Sequence, residues 1–148
     1  MRLQEFQVSV VEQTKKQLPR ALRGFAARAH FTLFKLHYDY SKIHYEVWVR
    51  GKERLIEIGL HFEADKPKND ALLAYFNERS IEVHAALGPR IEIEQWTNSW
   101  SRVHEVVPYQ TLDAELVKTV SSKLSQMIAV LEPMLRKHLG SKRARKRR

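Results

Sequence analysis

Apolar residues recur along this chain at two spacings, and the switch between them separates helical from extended segments. Leu3, Phe6, Val10 and Leu18 stand at helical intervals with Gln, Lys and Glu between them. They predict an amphipathic helix stopped by Pro19, whose ring clashes with a continuing helix and removes an N–H donor. Leu22, Phe25, Ala26, Ala29, Leu33 and Leu36 keep the helical spacing and predict a second N-terminal helix, with Arg20, Arg23 and Arg28 largely off its stripe. Phe31 to His37 also fits a strand.

The period then falls to two. Ile43, Tyr45, Val47 and Val49 alternate with His44, Glu46, Trp48 and Arg50, and Ile56, Ile58, Leu60 and Phe62 alternate with Glu57, Gly59, His61 and Glu63. These are two half-buried strands joined by a turn at Gly51-Lys52-Glu53. Asp65-Lys66-Pro67 opens a helix, with Leu72, Leu73, Phe76 and Ile81 on its apolar face and Gly88-Pro89 after it. Ile91 and Ile93 alternate with Glu92, Glu94 and Trp96 as a third strand. Thr97-Asn98-Ser99 is a turn, and Arg102 to Val107 is a fourth strand. Leu112, Leu116, Val120, Leu124, Ile128, Leu131 and Leu135 mark a long last helix, kinked or broken at Pro133 and ended at Gly140.

The expected fold is therefore α+β: two N-terminal helices, a four-stranded largely antiparallel sheet in the order β-β-α-β-β, and a long C-terminal helix. Residues 1–140 form a single domain on this reading, and 141–148 a disordered basic tail. A chain of 148 residues is long enough to bury a core of this kind. Cysteine is absent, so disulfides, thiolate metal sites and cysteine nucleophiles are excluded. The charged N-terminus does not match a secretory signal, and no apolar run approaches the roughly 20 residues of a membrane span. A cytoplasmic protein with no membrane partner is expected.

Charge changes this picture when it is divided by region. The net charge of +9 comprises +5 in residues 1–36, −4 in residues 37–135 and +8 in residues 136–148. The body is mildly acidic and the terminus strongly basic. Lys142, Arg143, Arg145, Lys146, Arg147 and Arg148 place six cations in the last eight residues. Such a segment cannot bury itself, and it binds phosphate backbones by counterion release without reading bases. Six engaged charges would give a log–log salt slope of about −5, at roughly −0.9 per phosphate. A solubilising terminus is the competing explanation.

The polar sides of the predicted strands collect His44, Glu46, Glu57, His61, Glu63, Glu92, Glu94, Arg102 and His104. Such groups suit divalent-metal binding or acid–base chemistry. Same-face neighbours along one strand lie about 6.6 Å apart, however, so no adjacent two form a ready chelate. A solvated antiparallel face with cross-strand charge pairs is the expectation, and no catalytic residue, metal site or cofactor is assigned. A restriction-type nuclease needs an acid-x-Lys on a strand, and neither Glu92-Ile93-Glu94 nor Glu57-Ile58-Gly59 supplies the lysine. Trp96, Trp100 and Tyr109 are expected to pack against the last helix rather than to stack on bases. Lys15, Lys16, Arg20, Arg23 and Arg28 are expected on a solvated helix surface.

The strand Leu55-Ile56-Glu57-Ile58-Gly59-Leu60, Asn69 with Leu73 and Phe76, Ile81-Glu82, Leu87-Gly88 and the strand ending at Trp96 resemble an uncharacterised bacterial domain family. The resemblance spans about residues 44–109. Members of that family often lie C-terminal to a restriction-endonuclease-like domain, and the family has no established catalytic residues. It implies a bacterial cytoplasmic protein in a nucleic-acid context. Together these features point to a non-enzymatic accessory domain that contacts the phosphate backbone of DNA or RNA non-specifically through its tail. The alternative is a protein-interaction or homodimerisation module, and a third reading is an enzyme using His61, Glu63 or Glu94.

Overall fold

The computed structural model describes residues 1–146, with side chains through Gly140. The first helix, α1 (Leu3–Gln17), buries Phe6, Val10 and Thr14 and ends ahead of Pro19. A 3-10 turn at Arg20–Leu22 follows. The chain then enters a sheet of six strands: β1 (Ala26–His30), β2 (Leu33–His37), β3 (Ile43–Arg50), β4 (Leu55–Phe62), β5 (Glu92–Gln95) and β6 (Ser101–Pro108). Between β4 and β5 come α2 (Lys66–Glu78) and α3 (Ser80–Leu87), and α4 (Ala114–Lys146) closes the chain. The sheet order is β1-β2-β3-β4-β6-β5, with every neighbouring pair antiparallel.

The α+β class agrees with the sequence pattern, but the four-stranded sheet and the second N-terminal helix do not. Residues 26–37 form a hairpin, turning at Phe31, whose φ is +53°. Leu33 and Leu36 fit a helical stripe by spacing. What overrides that spacing is non-local pairing: Phe34 registers with Val47 and Leu36 with Tyr45, so both side chains enter the core from β2. Ile81 departs from expectation too. It stands 84% exposed at the start of α3, because the chain breaks at Arg79 and Val83 takes the buried position. The last helix runs through both Pro133 and Gly140. Leu131 and Leu135 are buried on either side of Pro133 and Leu139 is buried just before Gly140, and that packing offsets the lost backbone hydrogen bond and the glycine's low propensity.

Asp65 caps α2 by accepting from the Lys68 N–H, and Asp113 caps α4 through the Leu116 N–H at 2.9 Å. Gly88, at φ +102°, ends α3 in a conformation that only glycine adopts without strain. All four helices lie on one face of the sheet. That face contributes Phe34, Leu36, Tyr45, Val47, Ile56, Ile58, Leu60, Phe62 and Val103 to a single core. Gln17, Ser121 and Ser125 link α1 to α4, and Tyr45 donates to Glu132 of α4 at 3.1 Å. Among the described residues no helix is long and apolar enough to cross a membrane.

Candidate functional site: an imidazole and carboxylate face

Alternation along a strand sends every second side chain away from the helices. On that opposite face the register aligns His44 with His61, Glu46 with Gly59, Gly59 with His104, and His61 with Arg102. Glu92 pairs with His104 and Glu94 with Arg102. The expected solvated face is not what forms. His44, Glu46, Glu57, His61 and His104 are all buried, because they cover one another and because Trp96, Arg102 and Arg50 lie across them. Gly59 makes this closeness possible: a Cβ there would lie 2.7 Å from the His104 Cβ and 3.0 Å from the Val103 carbonyl oxygen.

Two groups form on this face. In the first, one donor atom each from His44, Glu46, His61 and Glu63 all fall within 4.8 Å of one another. His44 Nε2 is 3.5 Å from Glu46 Oε1 and 3.7 Å from Glu63 Oε2. His61 Nε2 is 3.6 Å from Glu46 Oε2, and its Nδ1 is 3.3 Å from Glu63 Oε2. His44 Nδ1 lies 3.0 Å from the Ser41 carbonyl, which can only accept, so Nδ1 carries the proton. His44 Nε2 and His61 Nδ1 are both buried without a hydrogen-bond partner. Burial raises the Glu46 carboxyl, but His44, His61 and Lys35 outweigh burial and hold it below its usual range. Trp96 stands edge-on to His61 and closes that side.

The second group comprises Glu92, Glu94 and His104. Here the bonds are already made. His104 Nε2 is 2.7 Å from Glu94 Oε1, which also accepts from Arg102, and Arg102 reaches Glu57 at 2.9 Å. Burial and then Arg102 lower His104 below its ordinary value, against the pull of Glu94 and Glu57. Arg50 reaches Glu57 from the other side at 3.1 Å. This cluster is a charge-paired network.

Spacing along one strand argued against a chelate, and the cross-strand register gathers four residues that could hold an ion: His44 and Glu46 come from β3, His61 from β4 and Glu63 from the residue after it. The six tail cations, Lys142, Arg143, Arg145, Lys146, Arg147 and Arg148, have side chains outside the described residues. Trp96 and Trp100 do not pack against α4 but lie on the open face, with Arg102 over the Trp96 ring at 4.6 Å. The expected cationic helix surface is divided. Lys15 lies over the Phe25 ring, Arg23 donates to the Leu18 carbonyl, and Arg28 sits on β1.

One element escaped the sequence reading. Arg28, His30, Lys35 and His37 line a groove of about 300 Å³ with Leu33 and Ser41, on the same face as the imidazoles. Arg28 and Lys35 are register partners across β1 and β2. The signal was present as two alternating pairs, Arg28-x-His30 and Lys35-x-His37, and assignment of this segment to a helix concealed it. Neither family models, curated proteins nor solved structures match the chain.

Proposed function

We propose that the protein is an accessory domain that contacts the phosphate backbone of nucleic acid non-specifically. The cationic groove of the β1–β2 hairpin and the basic C-terminus act together in this reading. One observation carries it: Arg28, exposed on β1, and Lys35, half-buried on β2, stand directly opposite each other. Like charges in register destabilise a strand pair, and a bound polyanion reverses that cost. Lys35 has Glu63 at 4.0 Å, whereas Arg28 has no acidic partner among the described residues. The location of Gly140 supports the same reading. Gly140 lines a cleft with Tyr38, Asp39 and Tyr40, and Ser41, next along the chain, borders the cationic groove.

Such contacts position a nucleic acid and carry no sequence preference. The test is binding to DNA and RNA of one length across a salt series, comparing the full chain, a chain lacking residues 141–148, and Arg28→Glu. Deletion should flatten the log–log slope by about five, and Arg28→Glu by about one or more. Affinity and slope unchanged in both variants would overturn the proposal.

A second reading, homodimerisation, is favoured by a separate observation. β1 is an edge strand whose five residues are all exposed, and an apolar groove of about 510 Å³ lined by Val8, Val11, Ala27, Ala29 and Phe34 runs beside it. Edge strands of this kind pair with a second chain unless they are protected. Light scattering of the full chain with and without Ala27→Pro decides it, since proline removes an N–H from the exposed edge.

A further inference from the structure

Each group on the open face keeps a buried ring nitrogen without a hydrogen bond, His104 Nδ1 at 3.7 Å from Glu57 in the second, and the two groups differ in what serves their carboxylates. Nδ1 of His44 is engaged by the Ser41 carbonyl, so Nε2 is the ring position left for a ligand, and it is buried without a hydrogen-bond partner. That nitrogen faces the carboxylate oxygens of Glu46 and Glu63. His61 Nδ1, also without a hydrogen bond, faces Glu63. Ring nitrogens and carboxylates gathered in a buried site without hydrogen bonds are served by a cation held between them. Arg102 fills that role for Glu94 and Glu57 in the second group. In the first group, among the described residues, the Lys or Arg ion-paired with these carboxylates is Lys35, at the rim and 4.0 Å from Glu63.

We propose that His44, Glu46, His61 and Glu63 bind one divalent transition-metal ion of the zinc class, joining β3 to the end of β4.

The spacing suits this ion. Tetrahedral coordination with bonds of about 2.1 Å places ligand atoms ~3.4 Å apart. One donor atom from each of the four residues falls within 4.8 Å of the others, so the side chains must draw in around an ion. The closest pairwise nitrogen–oxygen distances, which draw on both His61 nitrogens and both Glu46 oxygens, run from 3.3 to 3.7 Å. They are too long for good hydrogen bonds and right for two ligands sharing an ion. Two carboxylates and two neutral imidazoles carry a charge of −2, which a divalent cation neutralises. Two imidazoles select zinc, cobalt or nickel over magnesium or calcium, which prefer all-oxygen shells. The Ser41 carbonyl on His44 Nδ1 is the usual outer partner that orients a metal-bound histidine. Entry is by way of Glu63, the least buried of the four, whose neighbour Lys35 lines the cationic groove.

The inference is independent of nucleic-acid binding, and its test uses metal alone. Untagged full-length protein, stripped with chelator, is titrated with Co²⁺ and then competed with Zn²⁺. The expected result is one equivalent of Co²⁺ with the intense visible absorption of a tetrahedral site, displaced by Zn²⁺, and a raised melting temperature. His61→Gln and Glu63→Gln should each weaken binding by more than about 100-fold, beyond the range of outer-shell changes. His104→Gln, in the second group, should leave it unchanged. The proposal is overturned if the unmutated protein takes up no stoichiometric metal. It is overturned equally if His44→Gln/His61→Gln binds as tightly as the parent, which would place the ion on His30 and His37 of the groove. Should His61→Gln fail to fold, Glu63→Gln at the rim and the parent titration still decide the question.

Discussion

His44 and His61 are register partners on β3 and β4, with ring planes 6° from parallel and centroids 5.7 Å apart. Stacked in this way, both rings point their nitrogens at the same two carboxylates, Glu46 and Glu63. Antiparallel pairing of two strands creates the arrangement. The residues around it allow four expectations about the fold that holds it.

Gly59 lies between Glu46 and His104 in the strand register, and a methyl group there meets the His104 Cβ at 2.7 Å. Strand propensity alone favours alanine over glycine, so an unconstrained site would gain stability from the change. Gly59→Ala should instead cost roughly 2–3 kcal/mol, as overpacking does in a close-packed interior. Urea unfolding measures it; a neutral or stabilised variant would show that β6 yields easily.

His104 sets a pH dependence. Burial, then Arg102, holds its folded value below the 6.5 of the free side chain. Just below pH 6.5 the unfolded chain therefore binds a proton that the native state refuses, and stability falls as pH drops through that window. Stability measured by denaturant at a series of pH values should rise up to about 6.5, and His104→Gln should flatten that part of the curve. Glu94 and Glu46, both held below 4.5, add a further loss in a lower window.

Tyr45 donates to Glu132, whose other carboxylate oxygen accepts from Arg136 at 3.0 Å. Burial raises the Glu132 carboxyl, and the tyrosine hydroxyl and guanidinium only partly offset it. Tyr45→Phe should cost about 1–2 kcal/mol, since it leaves a buried carboxylate oxygen unserved. A double-mutant cycle with Glu132→Gln should recover part of that cost.

Asn69, fully buried in α2, accepts from the Ala64 N–H and donates to the Ala64 and Ser99 carbonyls. It ties the start of α2 to the turn that carries Trp96 toward His61. Asn69→Ala should destabilise by about 2–4 kcal/mol and loosen this turn, because three backbone groups lose a buried partner. Hydrogen exchange at residues 97–100 reports the second effect, and protection equal to the parent would count against it.

Much of the scaffold was legible from local pattern. Period-two alternation located β3, β4 and β6 to within a residue or so, and Asp65 ahead of Pro67 located α2. Of the β1–β2 hairpin only β2 was legible, as the strand that Phe31 to His37 also fits, while β1 was assigned to a helix. The hairpin's alanines and leucines satisfy a helical stripe, and only the partners Val47 and Tyr45 on β3 decide otherwise. The site divides along the same line. Each of His44, Glu46, His61 and Glu63 was visible on a polar strand face, but their convergence depends on a register that no single segment contains.

The order of residues along the chain determined which side chains point away from the core, because alternation is a property of one strand by itself. It also determined where the charge lies, with an acidic body and cations concentrated at the two ends. The tertiary structure decided what those side chains meet. The order β1-β2-β3-β4-β6-β5 places the cationic hairpin beside the imidazoles and the Arg102 network on their far side. Strands stand about 4.8 Å apart, closer than same-face neighbours along one strand, so pairing and not sequence spacing brings ligands within reach of one ion.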